Sequence, residues 1–398
     1  MEVLLVFLKL GLTSFGGPIA HLGYFRNEFV SKRHWLDEQA YADLVSLCQF
    51  LPGPASSQVG FSIGLLRAGI PGGIAAWVGF TLPSAIALVL FAYGASLLEG
   101  PTGIALLHGL KLVAVAIVAQ AVWGMARTLC PDWQRVLIAV AALIVLLLIR
   151  SPLAQIGVIA LGGVLGLTWS RKASSLATAG HLPALVSRRV GLVALIFFFA
   201  LLAGLPALRG LGSSNGIGLV EAFYRSGALV FGGGHVVLPL LREAFVSPGW
   251  VSDDAFLAGY GAAQALPGPL FTFAVYLGTL VVPTPNGVAG AALGLIGIFL
   301  PGILILLAAL PFWESLRQRS SARAMMAGIN AAVVGLLAAA LYNPVWTSSV
   351  KTVSDIALAL AGFILLTAWR APPLLVVITT AVGGIVVAKC APGTFSAA

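Results

Sequence analysis

Apolar residues run through this chain in long blocks, and those blocks set its plan. A helix needs roughly 20 apolar residues to cross a bilayer core. Thirteen segments meet or approach that length: about 3–24, 41–65, 74–98, 104–126, 133–149, 152–169, a lone 190–208, then 218–241, 255–280, 287–311, 323–342, 352–369 and 371–389. The pattern predicts an all-α polytopic membrane protein. The first run starts at Val3 and contains Lys9. It lacks a basic leader and a small-residue cleavage site, so it reads as a retained helix.

Some runs are interrupted. Residues 50–54 read Phe-Leu-Pro-Gly-Pro and residues 265–269 read Ala-Leu-Pro-Gly-Pro. Proline removes a backbone donor and clashes with the preceding turn, so two prolines around a glycine should break a helix. Backbone groups freed at membrane depth must be buried in protein or line a wet cavity. Such a break is either the end of an ordinary helix or the centre of a substrate site. Gln49 and Gln264 precede the two breaks, and Ser56, Ser57 and Gln58 follow the first. These polar neighbours favour the second reading.

The halves also match each other. At an offset of 216, Phe15-Gly16-Gly17-Pro18 meets Phe231-Gly232-Gly233-Gly234, Lys9 meets Arg225, and Phe29-Val30-Ser31 meets Phe245-Val246-Ser247. At 215, Trp35 meets Trp250, Gln49 meets Gln264, and Leu51-Pro52-Gly53-Pro54 meets Leu266-Pro267-Gly268-Pro269. Farther on, Leu82-Pro83 matches Leu300-Pro301, and Gly109 matches Gly328, which sets Lys111 opposite Asn330. A series this long in order predicts an internal duplication. The expected units are a repeat over 1–169, a basic linker plus an extra membrane segment over 170–216, and a second repeat over 217–398. Duplicated halves with breaks at matching places are the sequence pattern of a transporter site near the midplane.

Composition narrows the classes. The 398 residues are 59% hydrophobic and 9% charged, against about 25% charged in soluble domains. The net charge of +9 comes from basic residues scattered between apolar runs, which sets orientation in a membrane and does not suit nucleic acid. Cys48, Cys130 and Cys390 form no CxxC pair, so neither disulfides nor structural zinc is expected. No nucleotide, zinc-hydrolase or metal motif occurs. The expectation is therefore no enzyme, no cofactor and no metal, and transport driven by a gradient.

The candidate chemistry is anion binding. Lys9 and Arg225 sit at matched places, seven residues before the first glycine of each cluster. They either attract an anion or snorkel to water. Lys111 either adds charge to the cavity or pairs with a carboxylate. Gly16, Gly17, Gly232 and Gly233 allow a tight turn, and a helix restarting there offers unpaired N–H groups and a positive dipole end. The Pro52-Gly53-Pro54 and Pro267-Gly268-Pro269 loops offer the same, with Ser56, Ser57 and Thr272 as hydroxyl donors. Glu221, one turn from Arg225, is its structural partner or a proton-sensitive group; His235 is the other candidate for coupling. Few carboxylates lie in the runs, which disfavours a multivalent cation.

Phe15-Gly16-Gly17-Pro18, Gln49-Phe50-Leu51-Pro52-Gly53-Pro54, Phe231-Gly232-Gly233-Gly234-His235 and Gln264-Ala265-Leu266-Pro267-Gly268-Pro269 together resemble the motifs of the chromate ion transporter family, in its long two-domain bacterial form. The resemblance covers essentially the whole chain. It implies a multi-pass protein of the bacterial inner membrane that exports chromate with the proton gradient and confers chromate resistance. Sulfate or another oxyanion is the alternative substrate, and a scaffold or sensor the alternative role. Assembly as a homodimer stays open. Gly234 stands where the first repeat has Pro18, so the half-sites need not contribute equally.

Six segments per repeat plus the lone one put seven crossings between matched starts, so the second repeat is expected upside down. With the N-terminus in the cytoplasm, twelve basic residues fall inside and seven outside. Arg26, Lys32 and Arg33 fit this badly, because that count leaves them outside. Were the Pro-Gly-Pro segments re-entrant, each repeat would have five crossings and the inversion would vanish.

Overall fold

The computed structural model describes residues 1–95, 101–149, 151–169, 186–211, 214–282 and 284–390, and every regular element among them is helical. Among the described residues five helices are long and apolar enough to cross a membrane: Ala55–Ala95, Thr102–Leu129, Arg188–Gly210, Gly287–Phe312 and Ser320–Ser349. Four of the thirteen expected segments, 3–24, 41–65, 218–241 and 255–280, are instead each split in two at the glycine or proline motif. Hydropathy runs unbroken across these motifs, which is why the segments read as single spans.

The first split segment is α1 (Glu2–Thr13) and α2 (Gly17–Phe25), the latter prolonged by a π-helical stretch, Arg26–Lys32. The next is α3 (Glu38–Phe50) and the first part of α4 (Ala55–Ala95). At about 1.5 Å per residue, α1 and α3 are roughly 18–20 Å long, well short of a ~30 Å hydrocarbon core. Each chain segment comes back to where it began. The Glu2 carboxylate accepts from both Arg33 and Arg67, each at 3.4 Å, and both guanidinium groups stack over Trp35. Residues 2, 33, 35 and 67 thus share one end of the molecule. Beyond Arg67, α4 breaks at Ala68 and Gly69 (φ +65°) and restarts as a long helix.

The chain continues through α5 (Pro101–Leu129), α6 (Trp133–Leu148), α7 (Pro152–Trp169) and α8 (Arg188–Gly210). Then the short-helix pattern recurs in α9 (Asn215–Ala228), α10 (Val237–Phe245), α11 (Asp253–Ala265) and α12 (Phe273–Leu280), followed by the long α13 (Gly287–Ala309). Val282 N–H donates to Trp250 O at 3.2 Å, and the Trp250 ring lies under Arg209. These short helices therefore also return to a common end, the one where α8 finishes. After α14 (Trp313–Gln318) come α15 (Ser320–Ala340), a π-helical kink at Leu341–Trp346, α16 (Thr347–Ser349), α17 (Val353–Thr367) and α18 (Pro373–Cys390).

Residues paired by the sequence match do the same local work. Asp37 caps α3 by accepting from Ala40 N–H, and Ser252 caps α11 by accepting from Ala255 N–H. Asp132 and Thr352 cap α6 and α17 in the same way. Such caps satisfy N–H groups that a helix start leaves free. Glycines set the packing. Gly64 lies against Gly72, and Gly278 against Gly290, close enough that no side chain fits between them, the small-residue contact that membrane helices favour. The two halves also exchange helices: α17 and α18 pack on α5, while α6 and α7 pack on α15.

Candidate functional site

Four interruptions meet in the middle of the molecule. The Pro52-Gly53-Pro54 loop needs Gly53 at φ +115°, and the Pro267-Gly268-Pro269 loop needs Gly268 at φ +96°, a region open to glycine but strained for other residues. Gly53 N–H donates to Val230 O at 2.8 Å, and Gly268 N–H donates to Ser14 O at 3.0 Å. Ser14 and Val230 are themselves matched at the 216 offset. Each proline loop is thus hydrogen-bonded to the turn that opens the other half. The same loops reach the long helices reciprocally. A β-carbon on Gly53 would lie 3.0 Å from Gly302 Cα, and one on Gly268 would lie 2.9 Å from Ser84 Oγ. Where the glycine turns meet, a β-carbon on Gly234 would lie 3.1 Å from Pro18 Cγ.

Helices start at all four interruptions: α2 after Gly16, α4 after Pro54, and short 3-10 turns leading into α10 and α12. Helix starts carry free N–H donors and a positive dipole end. Around them are buried polar atoms with no hydrogen-bond partner, Ser14 Oγ, Ser57 Oγ, Gln58 Oε1 and Asn330 Oδ1, while the Gln264 amide faces the Tyr260 hydroxyl and the His21 ring faces the Ser14 carbonyl. Buried polar groups are almost always paired, so these atoms stand out where the four interruptions meet. Gln58 also holds the site in shape, since its Nε2 donates to Pro52 O and Gly302 O, both at 2.9 Å.

The sequence-derived candidates divide accordingly. Gly16, Gly17, Pro52, Gly53, Pro54, Ser56, Ser57, Gly232, Gly233, Gln264, Pro267, Gly268, Pro269 and Thr272 lie at or beside the interruptions. The Ser56 hydroxyl lies 3.4 Å from His21 Nδ1, and the Thr272 hydroxyl donates to Pro269 O at 2.7 Å. Other candidates stand apart. Lys9 and Gln49 are exposed. Glu221 is buried and accepts from Arg225 at 2.6 Å and from Arg209 at 2.9 Å, so Arg225 is an ion-pair partner. Lys111 pairs with Asp254 at 2.8 Å. His235 Nδ1 lies 2.8 Å from the Tyr260 hydroxyl. Sequence reasoning passed over Ser14, His21 and Asn330 as candidates. Ser14 directly precedes the first glycine motif, and Asn330 faces the second, its Oδ1 3.3 Å from where a Gly232 β-carbon would be.

The profile of the chromate transporter family matches residues 1–167 and 217–385. The chain belongs to the chromate transporter family. It is 27% identical over 392 residues to a chromate transport protein of Pseudomonas aeruginosa, covering 95% of this chain and 89% of that one. It is 26% identical over 392 residues to a probable chromate transport protein of Synechococcus elongatus, covering 96% and 93%. A chromate transport protein of Cupriavidus metallidurans is 25% identical over 350 residues, covering 85% and 81%. No solved structure matches the chain. The chain is thus a polytopic membrane transporter of the bacterial inner membrane, and its family is one of transporters, not enzymes.

Proposed function

We propose that this protein exports a divalent tetrahedral oxyanion, chromate above sulfate, and that the anion binds where the four interruptions meet. The observation that carries this reading is the cluster of unpartnered polar atoms among converging helix starts. Ser57 and Gln264 donate from side chains, Gly16, Gly17, Gly232 and Gly233 let the backbone come close, and the helix starts supply N–H groups. An oxyanion accepts hydrogen bonds on all sides, and such starts favour negative charge. Of the basic candidates, Lys9 adds positive charge at a distance, while Lys111 and Arg225 are held in pairs with Asp254 and Glu221. Family membership supplies the name chromate, which two of the relatives above carry without qualification. The proton gradient drives export in this reading, and Glu221 and His235 are the coupling candidates.

The topology follows from the paired ends. Both short-helix pairs in each half turn back to the face they entered, as re-entrant hairpins whose tips meet at mid-membrane. Each repeat then has four crossings, and α8 adds one. Five crossings separate the matched starts, so the second repeat is still inverted; treating only the Pro-Gly-Pro segment as re-entrant gave an even count. This placement moves Arg26, Lys32 and Arg33 to the N-terminal side and Arg242 to the other. By position in the chain, fourteen basic residues fall on the N-terminal side and five opposite, a clearer case for a cytoplasmic N-terminus than twelve to seven.

Uptake of labelled chromate and sulfate into proteoliposomes tests the function, with proton and anion gradients imposed separately. Protein-dependent flux of divalent oxyanions supports it. Flux of monovalent anions alone removes the substrate class, and absence of flux under every gradient leaves a scaffold or sensor.

A further inference from the structure

A cavity of about 360 Å³ lies between the end of α4, the start of α5, and helices α11 and α12. Among the described residues its wall is apolar apart from His108, Lys111, Asp254 and Tyr276. We propose that this cavity is an oxyanion-binding vestibule in which Lys111 is the anchoring cation and Asp254 a tethered counter-ion that competes with the bound anion. The inference rests on the transporter reading above and adds a second, weaker site on the path.

The two partners of the Lys111–Asp254 pair differ in their surroundings. The Lys111 side chain is 12% exposed and the Asp254 side chain 74% exposed. A solvated carboxylate gains little from an ion pair and loses little on leaving it. A mostly buried ammonium is costly to leave without a counter-charge. Lys111 therefore keeps an anion beside it, while Asp254 is free to be that anion or to give way. A doubly charged oxyanion entering the cavity has the stronger Coulombic attraction to the ammonium. The carboxylate stays nearby, on the first turn of a helix capped by Ser252. Tethering gives it a high effective concentration, so the oxyanion is held weakly and released quickly.

The wall that carries Lys111 is fixed. One turn earlier on α5, His108 Nε2 lies 2.8 Å from Asp355 Oδ1, and both side chains are buried. The other carboxylate oxygen, Asp355 Oδ2, accepts from Lys351 N–H and Thr352 N–H at 2.9 Å each. This pins α5 to α17 and leaves Asp254 as the moving partner. The matched position in the second half is Asn330, so the arrangement is one-sided. In the proposed topology the cavity opens on the face opposite the N-terminus, which is the exit side of an exporter. A built-in competitor suits an exit.

The test is oxyanion flux by the full-length protein in oriented proteoliposomes, with chromate and sulfate as probes presented at the face opposite the N-terminus. Asp254→Asn removes the competitor and should lower KM there about tenfold while slowing turnover. Lys111→Gln should raise KM about tenfold, and Lys111→Arg should stay near the parent. In the Lys111→Gln background, Asp254→Asn should have no further effect on KM. Thermal melting of each purified variant separates these effects from misfolding. An unchanged or raised KM in a well-folded Asp254→Asn protein overturns the proposal, as does a lowered KM that persists without Lys111. If the parent protein carries flux while these variants fail the pattern, the vestibule falls and the transporter reading stands. If the parent carries no flux, both fall.

Discussion

Replacing Gly53 by alanine should cut transport by more than tenfold, and two separable effects set that size. The first is backbone strain: at φ +115° an L-residue costs roughly 1–2 kcal/mol. The second is crowding. The new β-carbon would lie 3.0 Å from Gly302 Cα and 3.1 Å from Gln58 Nε2, and overpacking of this kind costs about 1–3 kcal/mol. At about 1.4 kcal/mol per factor of ten, the two together lower the population of the competent arrangement by roughly 30-fold or more. Other glycines isolate each effect. Gly17 has φ +78° with nothing within 4 Å of a β-carbon, so Gly17→Ala should show strain alone. Gly157, inside α7, also has nothing within 4 Å, so Gly157→Ala should be neutral or slightly stabilising. The assay is the initial rate of labelled chromate uptake at matched protein density, with a thermal melt of each variant. Gly53→Ala behaving like Gly157→Ala in both measurements would refute the reasoning.

Gln58→Leu keeps the volume but removes two hydrogen bonds to carbonyls of Pro52 and Gly302; a loss of about 2–3 kcal/mol should appear as a lower melting temperature together with slower flux. Arg225→Gln leaves the buried Glu221 carboxylate with Arg209 as its remaining cation. A drop of about 1–3 kcal/mol is expected, read by chemical denaturation. In a cysteine-free background, Ser31→Cys and Ser247→Cys, both at exposed positions, should react with a membrane-impermeant maleimide from opposite faces, Ser31→Cys from the cytoplasm. Labelling from one face alone would replace the inverted arrangement with a parallel one.

The membrane class and the interruptions were legible because composition and Gly/Pro chemistry are local. Pro52-Gly53-Pro54 and Pro267-Gly268-Pro269 announced broken helices, and the structure puts both at the centre. The turn-back at the glycine motifs was not legible. Residues 3–24 stay apolar through Gly16 and Gly17, and only the contacts of Glu2 with Arg33 and Arg67 show the chain turning back. Partners across the fold were equally hidden. Lys111 meets Asp254 from 143 residues away, and His108 meets Asp355 from 247 away. One local sign was present, since Thr352 and Asp355 form a capping box. A capping box explains a helix start, however, and gives no hint of a histidine on another helix. Lys9 and Arg225 were singled out for matched positions, but matching constrains where a residue sits along a helix, not what faces it. Arg225 faces Glu221, whereas Lys9 is exposed.

The most direct test of the account is to locate the anion. Crystals of the protein soaked or grown with selenate, an isostere of sulfate and chromate, give an anomalous map in which the selenium position is unambiguous. The strongest peak should fall among Ser57, Gln58 and Gln264, where the four interruptions meet, with a weaker peak beside Lys111. A map with no peak at that meeting point, in crystals that show selenate elsewhere on the protein, would contradict the central claim.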